Sequence, residues 1–185
     1  MKTLSAVLCS ASPYSQSKAH ITPRQDNETH DEYDKRTWRE KLHVDDAGKV
    51  FIPAMSIRYA LSSASKYLKE KIGGRGNATY TKHFDGGILI ENNCSLEITP
   101  QEVEFEDIYV NADGKRGSGT RVWRRFPLIR GWQATVVILV PDPILTKDVL
   151  TRHLEAAGRF VGIGRWRPEK LGMYGRFSVE AVDWE

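Results

Sequence analysis

Between Gly162 and Arg176 the chain sets four glycines, Gly162, Gly164, Gly172 and Gly175, around Arg165, Trp166, Arg167 and Lys170. Each residue type supplies something a single-stranded nucleic acid needs. Glycine adopts positive φ and lets another backbone come close. Arginine and lysine neutralise phosphates, and an indole offers a face to a base. A second basic stretch, Asn111 to Gly131, holds Lys115, Arg116, Arg121, Arg124, Arg125 and Arg130 against the single acid Asp113. Acids collect elsewhere, in Asp26 to Asp46 and in Glu97 to Asp107. The net charge is only +3, but this segregation points to a polyanion-facing surface.

Other chemistries find less support. Gly73-Gly74-Arg75-Gly76-Asn77 lacks the Lys-Ser/Thr pair of a phosphate loop. No nucleophile elbow or zincin motif occurs. Cys9 and Cys94 stand far apart, without the paired spacing of a zinc site, and read as free thiols in a reducing compartment. No cofactor and no metal are expected. The acidic loop offers Asp31, Glu32, Asp34, Asp45 and Asp46, with His20, His30 and His43 nearby. A metal-dependent nuclease would need several of these carboxylates to converge on one cation. Without that convergence the chain reads as a non-enzyme.

The elements that must position these residues follow from periodicity. Leu4, Ala6 and Leu8 alternate as a first strand, not a signal peptide. Residues 10–49 form a long polar insertion with a short helix expected near Thr37 to Lys41. Val50 to Ile52 are extended, and Ile57, Ala60, Leu61, Ala64, Leu68 and Ile72 then share one helical face up to Gly73-Gly74. A loop over 73–87 is followed by short strands at Ile88 to Ile90, Ser95 to Ile98 and Ile108 to Val110. The basic segment 111–131 reads as a loop. Ala134 to Val140 is a β-branched strand. Thr146 caps a second helix that Gly158 closes, and Tyr174 to Trp184 alternates as a last strand.

That order predicts one α+β domain over residues 1–185, with a ferredoxin-like (RRM-like) βαββαβ antiparallel sheet, two packed helices and long inserted loops. No apolar run nears the ~20 residues that span a bilayer, so a cytoplasmic protein with no membrane partner is expected.

Two segments in their places within this order carry a likeness. One is Gly162-Ile163-Gly164, followed by Arg165, Arg167, Lys170 and the pair Gly172 and Gly175. The other is Val50-Phe51-Ile52-Pro53-Ala54-Met55-Ser56-Ile57-Arg58-Tyr59-Ala60-Leu61, at the opening of the first long helix. Together they resemble the RAMP superfamily of CRISPR-associated proteins, most of all the effector backbone subunits that coat guide RNA. The match has departures. Two residues separate Gly172 from Gly175, Ala54-Met55 replaces Gly-Ser, Tyr59 replaces a glycine, and Ser62 stands where arginine is common.

The resemblance implies a self-stacking, non-catalytic module that binds single-stranded RNA in a basic groove. It would assemble as a homo-oligomer or filament, or with other CRISPR-type effector subunits. Arg58 matches the family's backbone-contacting position, and segments 73–87 or 111–131 would act as a thumb. The expected contacts are Arg58, Lys82, His83, Arg121, Arg124, Arg125, Arg165, Arg167 and Lys170, with Gly162, Gly164, Gly172 and Gly175 as close-approach positions. Trp166, Trp123 or Tyr80 would stack on bases, while Trp132 and Trp184 belong to the core. Reversing Arg165 and Arg167 to glutamate is expected to weaken binding and spare the fold. The alternatives are a stand-alone single-stranded DNA-binding or annealing protein of a phage or mobile element, and an interaction protein whose basic loops meet an acidic partner. A metal-dependent ribonuclease is the remaining one.

Overall fold

The structure, a computed structural model, describes residues 1–112, 117 and 119–185. Lys115 and Arg116 of the basic stretch lie outside them. In chain order come β1 (Lys2–Ser10), α1 (His30–Thr37) with a 3-10 turn over Trp38–Lys41, β2 (Phe51–Ile52) and α2 (Ala54–Leu68). Then follow α3 (Thr81–Gly86), β3 (Leu89–Ile90), β4 (Cys94–Ser95), β5 (Glu104–Asn111) and β6 (Arg121–Leu128). The chain ends with β7 (Gln133–Val140), α4 (Lys147–Ala156) and β8 (Phe177–Trp184).

The main sheet runs β3-β7-β1-β8 with every neighbour antiparallel. With α2 between β1 and β3, and α4 between β7 and β8, this is the expected ferredoxin-like plan. Leu4, Ala6 and Leu8 of β1 and Val136 and Ile138 of β7 point to one buried face. Against it pack Ile57, Ala60, Leu61 and Ala64 of α2 and Val149, Leu150 and Leu154 of α4. Each large aliphatic so buried contributes about 1.5–3 kcal/mol. On the opposite face the register aligns Thr3, Ser5, Val7 and Cys9 with Gln133, Thr135, Val137 and Leu139 on one side. On the other side stand Ser178, Ala181 and Asp183. None of these is a cation, so the open sheet face is not the polyanion surface.

Both helices end elsewhere than glycine placement suggests. The sequence puts the end of α2 at Gly73-Gly74, but Lys69 turns left-handed (φ 49°) after Leu68. The segment then folds back, with the Ile72 amide donating to the Ala78 carbonyl at 2.8 Å, and Ile72 tucks under as a buried residue. Thr146 caps α4 as expected, its Oγ1 accepting from the Val149 amide. Gly158 does not close that helix. The chain passes into a wide π turn over Ala157–Val161 and ends at Gly162, whose amide donates to the Ala157 carbonyl at 2.8 Å.

The larger correction concerns segment 111–131. Residues 121–128 of it are no loop: β6 pairs with β5 in an antiparallel hairpin, in register from Glu104↔Leu128 to Asn111↔Arg121. Arginines at positions 121, 124 and 125 and a proline at 127 hid the period of two that Val122, Phe126 and Leu128 keep. The insertion at 10–49 is ordered too. Thr29 and Glu32 form a capping box at the start of α1, and α1 packs on β6. Segment 73–87 contains α3. Among the described residues, no helix is long and apolar enough to cross a membrane.

Candidate nucleic-acid interface

The glycine loop, residues 162–175, leaves the π turn, passes a 3-10 turn at Pro168–Lys170 and enters β8. It is laced to the stretch after β1. The Arg165 amide donates to the Ser15 carbonyl at 2.9 Å and the Gly175 amide to the Pro13 carbonyl at 2.7 Å. Gly164 and Gly175 have φ of 75° and 72°. A Cβ on Gly164 would stand 2.4 Å from the Ser15 carbonyl oxygen, and one on Gly175 1.8 Å from that of Ile163. The backbone that these glycines admit is therefore the protein's own. Added Cβ atoms on Gly162 and Gly172 would likewise meet Pro168 and the Trp166 carbonyl.

Arg165 turns inward from this loop. Its side chain is only 8% exposed and pairs with Glu106 of β5. Nε donates to the Ser15 hydroxyl at 3.1 Å. The guanidinium lies over the rings of Phe126 (4.0 Å) and Trp166 (4.4 Å). Glu106 also accepts from the Tyr174 hydroxyl at 2.6 Å. Burial lowers the pKa of Arg165 while Glu106 pulls it back up. This clasp ties hairpin, glycine loop and post-β1 segment together. The expectation that Arg165→Glu spares the fold therefore fails, because it would set two carboxylates against each other in a mostly buried place. Nη1 of Arg165 is buried without a hydrogen-bond partner among the described residues.

Two clefts flank the loop. The first, about 550 Å³, lies between it and the opening of α2, and is lined by Pro53, Met55, Ser56, Tyr59 and His43 with Arg165, Arg167 and Lys170. In the first turn of α2 the Ala54 amide donates to Asn93 Oδ1 at 2.9 Å and the Ser56 amide to the Pro53 carbonyl at 2.8 Å, so the protein itself satisfies most of that helix end. The second, about 610 Å³, lies between the loop and the hairpin, lined by Tyr109 and Arg121 with Leu171, Met173 and Tyr174. Trp166 and Lys170 line both. Trp166 is 43% exposed. Arg167 is held by Glu169 at 3.0 Å and by the Gly164 carbonyl at 3.2 Å, over the Tyr59 ring. In the first cleft His43 has a lowered pKa, from burial and then from Lys18.

The structure thus gathers Arg121, Arg165, Arg167 and Lys170 on two connected clefts. Arg124 is close by, paired with the buried Asp34 at 3.5 Å. Arg125 is engaged instead with Asp107, both contacts 2.7 Å, over the Phe105 ring. Arg58, Lys82 and His83 line neither cleft. Arg58 donates to the Asp85 carbonyl, Nδ1 of His83 meets Asp142 at 2.6 Å, and Lys82 is exposed on α3. Of the aromatics, Tyr80 packs on the core and Trp132 is buried, while Trp123 is exposed on the hairpin. Sequence reading missed Tyr59, Tyr109 and His43, whose patterns carry no signal beyond helix, strand and loop.

The acids of the insertion are dispersed. Asp31 pairs with Lys35 at 2.6 Å, Glu32 belongs to the capping box, Asp34 pairs with Lys41 at 2.9 Å, and Asp45 closes a turn by accepting from the Lys49 amide. Among the described residues, no three His, Cys, Asp or Glu side chains converge as a metal site would require.

This fold has solved counterparts. A chain in the structure of the type III-B Cmr-beta bound to cognate target RNA superposes with a TM-score of 0.56 at 11% identity, over 99% of this chain and 60% of that one. This chain therefore spans under two thirds of that counterpart's length. Cmr6 from Pyrococcus furiosus matches with a TM-score of 0.49 at 13% identity, over 97% of this chain and 98% of that one. The first likeness establishes the shared α+β fold. No family model and no curated protein matches the chain in sequence.

Proposed function

We propose that the protein is a RAMP-like module that holds single-stranded RNA along the glycine loop and does no chemistry on it. The observation that carries this reading is the pair of clefts joined at Trp166 and Lys170. The first offers phosphates Arg167 and Lys170 beside the opening of α2, with Arg165 bracing the loop that carries them. The second offers bases the faces and edges of Trp166, Tyr109 and Tyr174. A trough that alternates cations with rings suits an unpaired strand, because a duplex keeps its bases stacked on one another. The hairpin β5–β6 forms the far wall and takes the part of the thumb. RNA is favoured over DNA because one counterpart of this fold is a chain in the structure of the type III-B Cmr-beta bound to cognate target RNA. Copies of the chain assembling along the strand would show as cooperative binding to long RNA.

The test is binding of labelled oligouridylate, oligothymidylate and duplex RNA by fluorescence anisotropy across a salt series. Single-stranded RNA binds tightest. The double variant Arg167→Ala with Lys170→Ala loses at least about tenfold in affinity, and its log–log salt slope flattens by about 1.4, roughly 0.7 for each lost phosphate contact. Equal binding of duplex and single strand, or an unchanged slope, overturns the reading.

A further inference from the structure

The long insertion and β6 build a third cleft, about 340 Å³, whose wall carries Lys18, His20, Lys41 and Arg124 with Asp34 and Phe126. Its charges do not cancel. Asp34 is the one buried acid and serves two cations, Lys41 at 2.9 Å and Arg124 at 3.5 Å. The Lys18 ammonium is exposed and has neither hydrogen bond nor ion pair among the described residues. His20 stacks on Tyr33 with centroids 5.8 Å apart, and its buried Nδ1 has no hydrogen-bond partner among the described residues. Glu40 stands near that nitrogen at 3.4 Å, itself largely exposed. An excess of positive charge in a concave, partly dry wall attracts an anion more strongly than the same charges on an open surface.

This third cleft borders the first. Ser17 lines both. Phe126 stands between them, with the Lys41 ammonium 4.2 Å and the Arg165 guanidinium 4.0 Å from its ring centre. Each of these cations has its own acid, Lys41 with Asp34 and Arg165 with Glu106, so the ring joins two paired cations across the divide. The Lys41 side chain is 9% exposed, and burial lowers its pKa although Asp34 acts the other way, with Arg124 and Arg165 adding smaller lowering effects. Lys18 is close enough to His43 of the first cleft to depress that ring's pKa as well.

We propose that the third cleft receives a further phosphate group of the same RNA strand, so that the trough runs past Ser17 and over the insertion. This rests on the RNA-binding reading and deepens it. Lys18 is the residue to change, because it is exposed and unpaired and so can be reversed without disturbing the core. Affinity is measured by anisotropy for two oligouridylates. One is short, about four nucleotides, and one long, about twelve, within the range of single-strand site sizes. Lys18→Glu should weaken the long RNA about tenfold and leave the short one within twofold, and Lys18→Ala should flatten the long RNA's salt slope by about 0.7. Lys147→Glu, an equal reversal at the exposed start of α4, should change neither. Thermal melting of each variant should match the parent.

If Lys18→Glu binds the long RNA as the parent does, the cleft is not on the path and the first two clefts stand alone. If Lys147→Glu weakens it as much as Lys18→Glu, the effect belongs to the overall field and the proposal fails. If the parent binds neither RNA, the RNA-binding reading itself falls and takes this inference with it.

Discussion

Two neighbourhoods of this molecule hold basic side chains beside glycines in sequence, and they end up doing different things. Around α3, Arg58 is spent on the Asp85 carbonyl and His83 on Asp142, leaving Lys82 alone on the helix surface. Around the glycine loop, Arg165 is buried in a clasp, Arg167 is braced by Glu169, and Lys170 stands at the junction of two clefts. The difference is not the number of cations. Around the loop a buried arginine fixes the position of exposed ones, and rings lie within reach of both. Charge in sequence marks where a polyanion could bind, whereas aromatic walls and a supported backbone mark where a strand can be held in one register.

The comparison is sharpest at its buried member. Arg165→Met leaves Glu106 half-buried with the Tyr174 hydroxyl as its remaining side-chain partner. Folding stability should fall by about 3 kcal/mol, as when one partner of a buried ion pair is removed. Arg58→Met should stay within about 0.5 kcal/mol, as a surface change does. Urea denaturation measures both. Equal effects would mean that the clasp does not hold the loop.

A smaller effect separates two tryptophans of similar exposure, Trp166 at 43% and Trp123 at 51%. Trp166 lies in both clefts, while Trp123 lines neither, packing beside Tyr109 with ring centres 5.3 Å apart. Trp166→Ala should lose about 1–3 kcal/mol of RNA binding, and Trp123→Ala should lose none that anisotropy resolves. A loss at Trp123 alone would move the strand to the outer face of the hairpin.

The smallest effect concerns pH and a histidine away from the trough. His153 is fully buried, stacked on Phe84 at 4.3 Å, with Nδ1 at 2.8 Å from the Val149 carbonyl and Nε2 without a hydrogen-bond partner among the described residues. Burial holds its pKa below the ordinary value, although the Val149 carbonyl and Glu70 push upward and Arg152 pushes down. The unfolded chain therefore takes up a proton first as pH falls. Its contribution to stability is full above the ordinary histidine pKa of about 6.5 and is lost below it. The denaturation midpoint should drop from neutral pH to mildly acid pH, and His153→Leu should flatten that dependence even if it lowers the midpoint overall. His43, lowered as well, supplies a remaining slope of the same sign.

What sequence made legible was set by period. β1, α2, β7 and α4 each carry a clean run of buried positions, and with the short β3 and the half-buried alternation of β8 they build the ferredoxin-like sheet. The late glycine loop was legible as a special place because glycines, cations and a tryptophan crowd into a few residues. Two things were not. The hairpin's alternation is broken by arginines that face partners such as Asp107 and Asp34, known only once β5 and α1 lie alongside. The role of Arg165 depends on Glu106, 59 residues away in the chain. Nothing local distinguishes a clasp from a phosphate contact, since both ask for an arginine beside a glycine.

The most direct test of the account is to photo-crosslink RNA carrying 4-thiouridine to the intact protein and map the adducts by mass spectrometry. Adducts on Trp166, Tyr109 and Tyr59, the rings of the two joined clefts, are the predicted result. Adducts confined to α3 or to the open face of the main sheet would contradict it.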